Sequence, residues 1–117
     1  MSRRERERAG RLAETLAAWS LRSRGFRILA RRHATPVGEI DLVARRGRLV
    51  VFVEVKRRAR RDDALASLLP NQQARIVRAA EAFLQRRPEL AGCDLRFDLV
   101  AVTPWRLPLH LVDAWRV

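Results

Sequence analysis

The chain has 117 residues, 48% of them apolar and 32% charged, with a formal net charge of +12. That length supports one hydrophobic core rather than two, and the balance is that of a globular chain rather than a disordered one. No run of about eighteen apolar residues is present to span a bilayer as a helix, and the charged start MSRRERERAGRLAE lacks the apolar stretch of a signal peptide. The single cysteine, Cys93, excludes an internal disulfide and fits a reducing cytoplasm. So basic a surface attracts polyanions, which makes nucleic acid the expected partner, and ribosome association or an anionic membrane surface would give the same composition. No segment has an apolar face beyond what a core helix needs, so no membrane partner is expected.

Residues 3–24 are expected to form a helix, with Leu12, Ala13, Leu16, Ala17 and Trp19 as its buried stripe. Residues 1–8 carry Arg3, Arg4, Arg6 and Arg8 and are expected to fray into a flexible basic arm. Gly25 can end the helix by taking positive φ. Residues 26–32 (FRILARR) read as a strand near a sheet edge, given their arginines. Residues 33–37 (HATPV) read as a loop, leaving His33 exposed and without a catalytic role.

The centre of the chain is GEIDLVARRGRLVVFVEVKRR, residues 38–58. Ile40–Arg45 and Leu49–Val55 are rich in β-branched and large apolar residues, and Arg46-Gly47-Arg48 between them is a turn signal. Side chains alternate along a strand, so Phe52, Glu54 and Lys56 share one face and Val51, Val53 and Val55 the other. A two-residue loop at Arg46-Gly47 would set Asp41 opposite Phe52. A four-residue loop over 46–49 would set it opposite Glu54. Both keep Asp41, Glu54 and Lys56 on one face, and a three-residue loop would not, unless a bulge intervened. Glu39, two residues before Asp41, shares that face.

Two carboxylates brought together repel and therefore favour a cation. Carboxylate oxygens suit Mg²⁺ or Mn²⁺, and Mg²⁺ commonly takes one or two carboxylates together with waters and substrate phosphates. A neighbouring lysine can orient or deprotonate the attacking water and offset phosphate charge. That combination suits phosphodiester hydrolysis. The alternative is a structural Glu54–Lys56 pair, with Asp41 capping a turn. Of 25 basic residues only Lys56 is a lysine. An arginine would serve a plain ion pair equally well, but it could not titrate near neutral pH.

Arg57, Arg58, Arg60 and Arg61 follow directly and are expected to form a phosphate-binding rim. Residues 60–69 are expected to be a mobile loop over the site, with a helical turn at 64–68. Pro70 and Asn71 mark the start of a second helix over 71–87. Its buried stripe is Ile76, Val77, Ala80, Phe83 and Leu84, with Gln73 in the first turn and Arg75 and Arg78 free to face DNA. Leu95–Val102 is a further strand in which Asp98 is read as a structural hydrogen-bonding residue, or else an outer carboxylate. Leu109–Trp115 is a last short strand. Trp105 and Trp115 fall where exposure would let them stack on a base or a partner.

Asp41, twelve residues, then Glu54-Val55-Lys56 resembles the D…E-x-K core of the PD-(D/E)XK, or restriction-endonuclease-like, nucleases. The longer string is similar to the YraN family of uncharacterised bacterial proteins. Ala13-Glu14, GFRILAR at 25–31, GEIDLV at 38–43, FVEVK at 52–56 and Arg96-Phe97-Asp98 carry that likeness over nearly the whole chain. The resemblance implies an α/β domain with a mixed central sheet, in the order α-β-β-β-α-β-β, flanked by helices. It implies catalytic Asp41, Glu54 and Lys56, with Mg²⁺ or Mn²⁺ held by Asp41 and Glu54. Archaeal Holliday-junction resolvases, similar in fold, add a glutamate on the first helix. Glu14 matches it, Glu39 is a further candidate, and Gln73 sits where related nucleases place a polar residue. Those resolvases act as two-fold dimers, which implies a homodimer by analogy. The expected function is a metal-dependent endonuclease on DNA, of branched or damaged form. The alternatives are a non-catalytic nucleic-acid-binding accessory module in repair or RNA metabolism, and an assembly protein that meets an acidic partner.

Overall fold

The computed structural model describes residues 2–116. Helix α1 spans Arg3–Ser23 and starts at Ser2, whose Oγ accepts the Glu5 N–H at 3.1 Å, an N-cap of the usual chemistry. Residues 3–8, expected to be a flexible arm, are the exposed first turns of this helix. Its buried face also differs from expectation. Ala13, Ala17, Ala18 and Leu21 are buried, whereas Leu12 and Trp19 remain 60% and 61% exposed. Helical spacing admits both stripes. Alanines let the helix approach the sheet closely, and the larger side chains are left outside.

The sheet has five strands in the order β1-β2-β3-β4-β5. They are β1 (Arg27–Thr35), β2 (Gly38–Arg46), β3 (Leu49–Arg57), β4 (Asp94–Val102) and β5 (Leu109–Trp115). Only β3 and β4 pair in parallel, which requires a crossover. That crossover holds α2 (Arg61–Ala66), α3 (Pro70–Gln85) and a 3₁₀ turn at Pro88–Leu90. The expected mobile loop over 60–69 therefore contains a short helix, and the element order gains one member. Strand β1 lies at an edge, as its arginines suggested, but it runs on to Thr35 and takes in His33. The His33 ring stands edge-on to Phe83 with centroids 5.0 Å apart.

In the β2–β3 hairpin Arg45 pairs with Val50 and Arg46 with Leu49. This is the register that sets Asp41 towards Glu54, with the chain reversing through Gly47-Arg48. Gly47 takes φ +60°, where a side chain would be strained.

Helix α1 covers one face of the sheet. Ala13, Ala17, Ala18 and Leu21 pack on Leu42, Ala44, Val51, Val53 and Val100. Helix α3 covers the other, where Ile76, Ala79, Ala80 and Phe83 meet Ile40, Val43, Val50 and Phe52. Under α3 an aromatic row runs from Phe83 to Phe52, Phe97 and Trp115, with successive centroids 6.0, 5.6 and 5.4 Å apart. Trp115 therefore lies in the core, and of the two C-terminal tryptophans only Trp105 is exposed. No helix among the described residues is long and apolar enough to cross a membrane.

Asp98 ties β4 to β5. Fully buried, it accepts from Arg96 Nε and Nη2 at 2.9 and 2.8 Å and from the Asp113 N–H at 2.9 Å. His110 Nε2 lies 2.7 Å from its Oδ2. Burial alone would raise its pKa, but the bonds from His110, Arg96 and Asp113 outweigh that and hold it at about 2. The structural reading of Asp98 stands. A depressed carboxylate stabilises the fold above its unfolded pKa, and that contribution is lost as pH falls through the folded value. We expect about 2 kcal/mol to disappear between roughly pH 4 and pH 2. Asp98→Ala, which leaves Arg96 and His110 buried without their partner, should cost about 3–5 kcal/mol in urea denaturation at pH 7. A loss under about 1 kcal/mol would contradict the clamp.

Candidate active site

Strands β2 and β3 pair from Arg46↔Leu49 to Leu42↔Val53. Beyond that point Asp41 Oδ2 accepts the Val55 N–H at 2.8 Å. A side chain thus takes an N–H that would otherwise seek a partner strand. The alternation of β2 breaks at the same place. Leu42 and Ala44 face α1, yet Ile40 packs with Val43 against α3. On β1 the pairs Arg31↔Leu42 and His33↔Ile40 bracket Arg32, which takes φ +49°. Both strands therefore change face together, at Arg32 and Asp41.

Across this irregularity Asp41 stays in side-chain contact with Glu54, as the hairpin register sets them. Lys56 Nζ lies 3.6 Å from Glu54 Oε1, and the two side chains are only 10% and 12% exposed. Burial raises the pKa of Asp41, against the pull of the Val55 N–H and the Glu54 contact. Burial also lifts Glu54, helped by the charge and hydrogen bond of Asp41 and opposed by Lys56, to about 8. Both shifts favour the protonated form, and a shared proton is the simplest cation able to sit between two carboxylates.

A divalent ion could take that place. Two carboxylates are within what Mg²⁺ uses, with waters completing its shell. Asp41 and Glu54 thus fit the role of holders. The other two candidates are placed differently. Glu14 is near enough to raise Asp41 by its charge, but both its oxygens accept from Arg32 Nε at 2.8 Å. Glu39 is exposed and acts on Asp41 only through its charge. Among the described residues no three His, Cys, Asp or Glu side chains converge as a ligand set. Arg32 is the residue that the sequence did not single out. Nothing in FRILARR marks it, because its role depends on a left-handed backbone inside a strand.

The expected phosphate rim divides. Arg57 and Arg58 line a groove with Leu12, Leu16 and Trp105, and Arg60 and Arg61 line a cleft with Thr103 and Arg106. Both lie at the carboxyl ends of the parallel pair β3 and β4, where open α/β sheets bind ligands. Arg75 and Arg78 are exposed on α3, the helix on the opposite face from α1. The Arg75 stem approaches the place where a Cβ on Gly38 would stand. Gln73 donates to the Leu68 carbonyl at 3.2 Å and lines a cleft with Trp115 and Arg116, not with the carboxylates.

A sequence model of the uncharacterised protein family UPF0102 matches residues 13–102. A UPF0102 protein of Paramagnetospirillum magneticum is 58% identical over 115 residues, covering 95% of this chain and 89% of its own length. One from Parvibaculum lavamentivorans is 56% identical, covering 93% and 82%. One from Mesorhizobium japonicum is 48% identical, covering 97% and 91%.

The raised Glu54 carboxyl has a measurable consequence. A group whose folded pKa exceeds its unfolded one stabilises the fold below the unfolded value, and the contribution is lost as pH rises through the folded value. In EDTA the melting temperature should therefore fall as pH rises from about 4.5 towards about 8. Glu54→Gln should flatten that decline, as read by calorimetry across the range. An unchanged slope in the variant would refute the shared-proton arrangement.

Proposed function

Because the chain belongs to the uncharacterised protein family UPF0102, whose name carries no activity, we propose a function from its own residues: a divalent-metal-dependent endonuclease that hydrolyses phosphodiester bonds in DNA. We read its five-stranded mixed sheet with flanking helices as restriction-endonuclease-like. One observation carries the proposal. Two half-buried carboxylates lie in contact beside the chain's only lysine, at the end of a hairpin on an otherwise basic molecule. Binding a polyanion needs no acidic pair in its path, whereas metal-assisted hydrolysis uses one to hold the ion.

Mg²⁺ or Mn²⁺, when bound, supplies Lewis acidity towards the phosphate and its attacking water. Asp41 and Glu54 would hold it through carboxylate oxygens. The Val55 N–H fixes the orientation of Asp41. Lys56, held beside Glu54, would position the attacking water and offset phosphate charge. Arg57, Arg58, Arg60 and Arg61 grip the backbone, so binding should weaken steeply with salt. The reading makes the protein a cytoplasmic one. The homodimer remains an analogy with the junction resolvases.

The ion pair that engages both oxygens of Glu14 favours a second reading, an accessory module that binds nucleic acid without turnover. The test is cleavage of labelled duplex, single strand, flap and four-way junction with Mg²⁺ or Mn²⁺, for wild type, Glu54→Ala and Lys56→Ala. We expect both substitutions to lower cutting by at least about 100-fold, in the range of lost general acid–base and charge-stabilising groups, while binding persists. Binding without cutting under either metal would leave the accessory module. Cutting that survives both substitutions would remove the site assignment.

A further inference from the structure

The link between β4 and β5 carries features that the hydrolytic site does not use. Trp105 is fully exposed and has φ +62°, a conformation rare for so bulky a residue. Nothing in the fold covers it. On one side lies the groove of about 880 Å³ that it shares with Leu107, Arg57 and Arg58. On the other is the cleft of about 400 Å³ lined by Arg60, Arg61, Thr103 and Arg106. Asp62 also lines that cleft, one carboxylate against three guanidinium groups.

Two polar atoms of the cleft residues have no partner. Arg61 Nε and Thr103 Oγ1 are both buried and make no hydrogen bond, although Arg61 Nη2 donates to the Leu107 carbonyl at 3.2 Å. A buried donor without an acceptor is costly, and an anion that enters and accepts from it removes that cost. A phosphate suits a site of several arginines and a hydroxyl. The cleft and the tryptophan adjoin through Pro104 and Arg106, and β3 enters them directly from Lys56. Three strand steps, at about 3.3 Å each, take the chain from Glu54 to Arg57.

We propose that the β4–β5 link is a platform for an unpaired nucleotide, with its base stacked on Trp105 and an adjoining phosphate seated among Arg60, Arg61, Arg106 and Thr103. A base inside a duplex keeps its faces against its neighbours, so a tryptophan can stack only on one that is out of the helix. The platform therefore selects single-stranded segments next to the site of hydrolysis. The carboxylates of an acidic peptide would match the arginines but have no ring to stack on the tryptophan, whereas each nucleotide carries a phosphate and a ring together. As a statement about substrate class, this rests on the nuclease reading.

The experiment measures binding of the full chain, in EDTA, to a fluorescein-labelled oligothymidine single strand and to a blunt duplex of equal length. Trp105→Ala should weaken single-strand binding about five- to a hundred-fold, the range that base–aromatic stacking carries, and leave duplex binding within about twofold. Trp105→Phe should restore most of the loss. Thr103→Val, which keeps the buried shape, should also weaken the single strand selectively. Arg106→Gln should reduce the slope of log affinity against log salt by about 0.7. Thermal melts matching wild type establish that each variant is folded, which Trp105 allows because it packs on nothing. Equal loss on both ligands, or none, overturns the platform. So does a polyglutamate peptide whose binding depends on Trp105 as strongly, since that assigns the surface to an acidic protein. Metal-dependent cutting of single-stranded or flap DNA that is untouched by Trp105→Ala leaves the nuclease and removes the platform. Trp105-dependent binding with no cutting under any metal does the reverse.

Discussion

Two carboxylates held in contact away from bulk water cannot both stay charged unless something positive lies between or beside them. Much of this molecule's sheet geometry follows from meeting that condition at Asp41 and Glu54. Lys56 supplies part of the charge from 3.6 Å, too far for a strong hydrogen bond, and a proton supplies more. Asp41 is held in place by a backbone N–H instead of a cation. The arrangement is preorganised, since the strands already diverge to admit the side chain. It is also only partly satisfied, since one lysine stands against two carboxylates.

The parallel pairing of β3 and β4 places the remaining functional groups. Lys56 pairs with Ala101 and Arg57 with Val102, so the arginines after β3 and the link after β4 leave the sheet at the same end. In an all-antiparallel meander the chain after β3 would turn back at once. Here it crosses through α2 and α3, and the ends of β3 and β4 stay open. The basic residues gather there because both strand ends deliver them.

Some of this was legible in the residues and some was not. The hairpin was, because alternation and a Gly turn restrict the register to a few choices, and one of them is observed. Lys56 stood out because every other basic position is arginine. Trp19 and Trp115 were misjudged for one reason. Periodicity weighs apolar bulk, while packing depends on which neighbours arrive. The sheet accepts the alanine face of α1, and Phe97 receives Trp115. The face change at Arg32 and Asp41 was invisible, since a left-handed residue within a strand has no compositional mark unless it is glycine. The ion pair of Glu14 with Arg32 was hidden with it. The family resemblance pointed to Glu14 as a position but not to its state.

The left-handed backbone at Arg32 has another effect. β1 and β5 are the two open margins of the sheet, and an open margin invites another strand to add to it. Both margins are irregular. β1 shifts register between Ile28 and Ala30 and is twisted out of line at Arg32, while the β4–β5 pairing shifts between Phe97 and Leu99 and Asp113 takes φ +56°. Straight, evenly spaced rows of N–H and C=O groups are absent on either side. These irregularities oppose the addition of a further strand at either margin. The backbone twist that aims Arg32 at Glu14 also guards the fold against edge-to-edge aggregation.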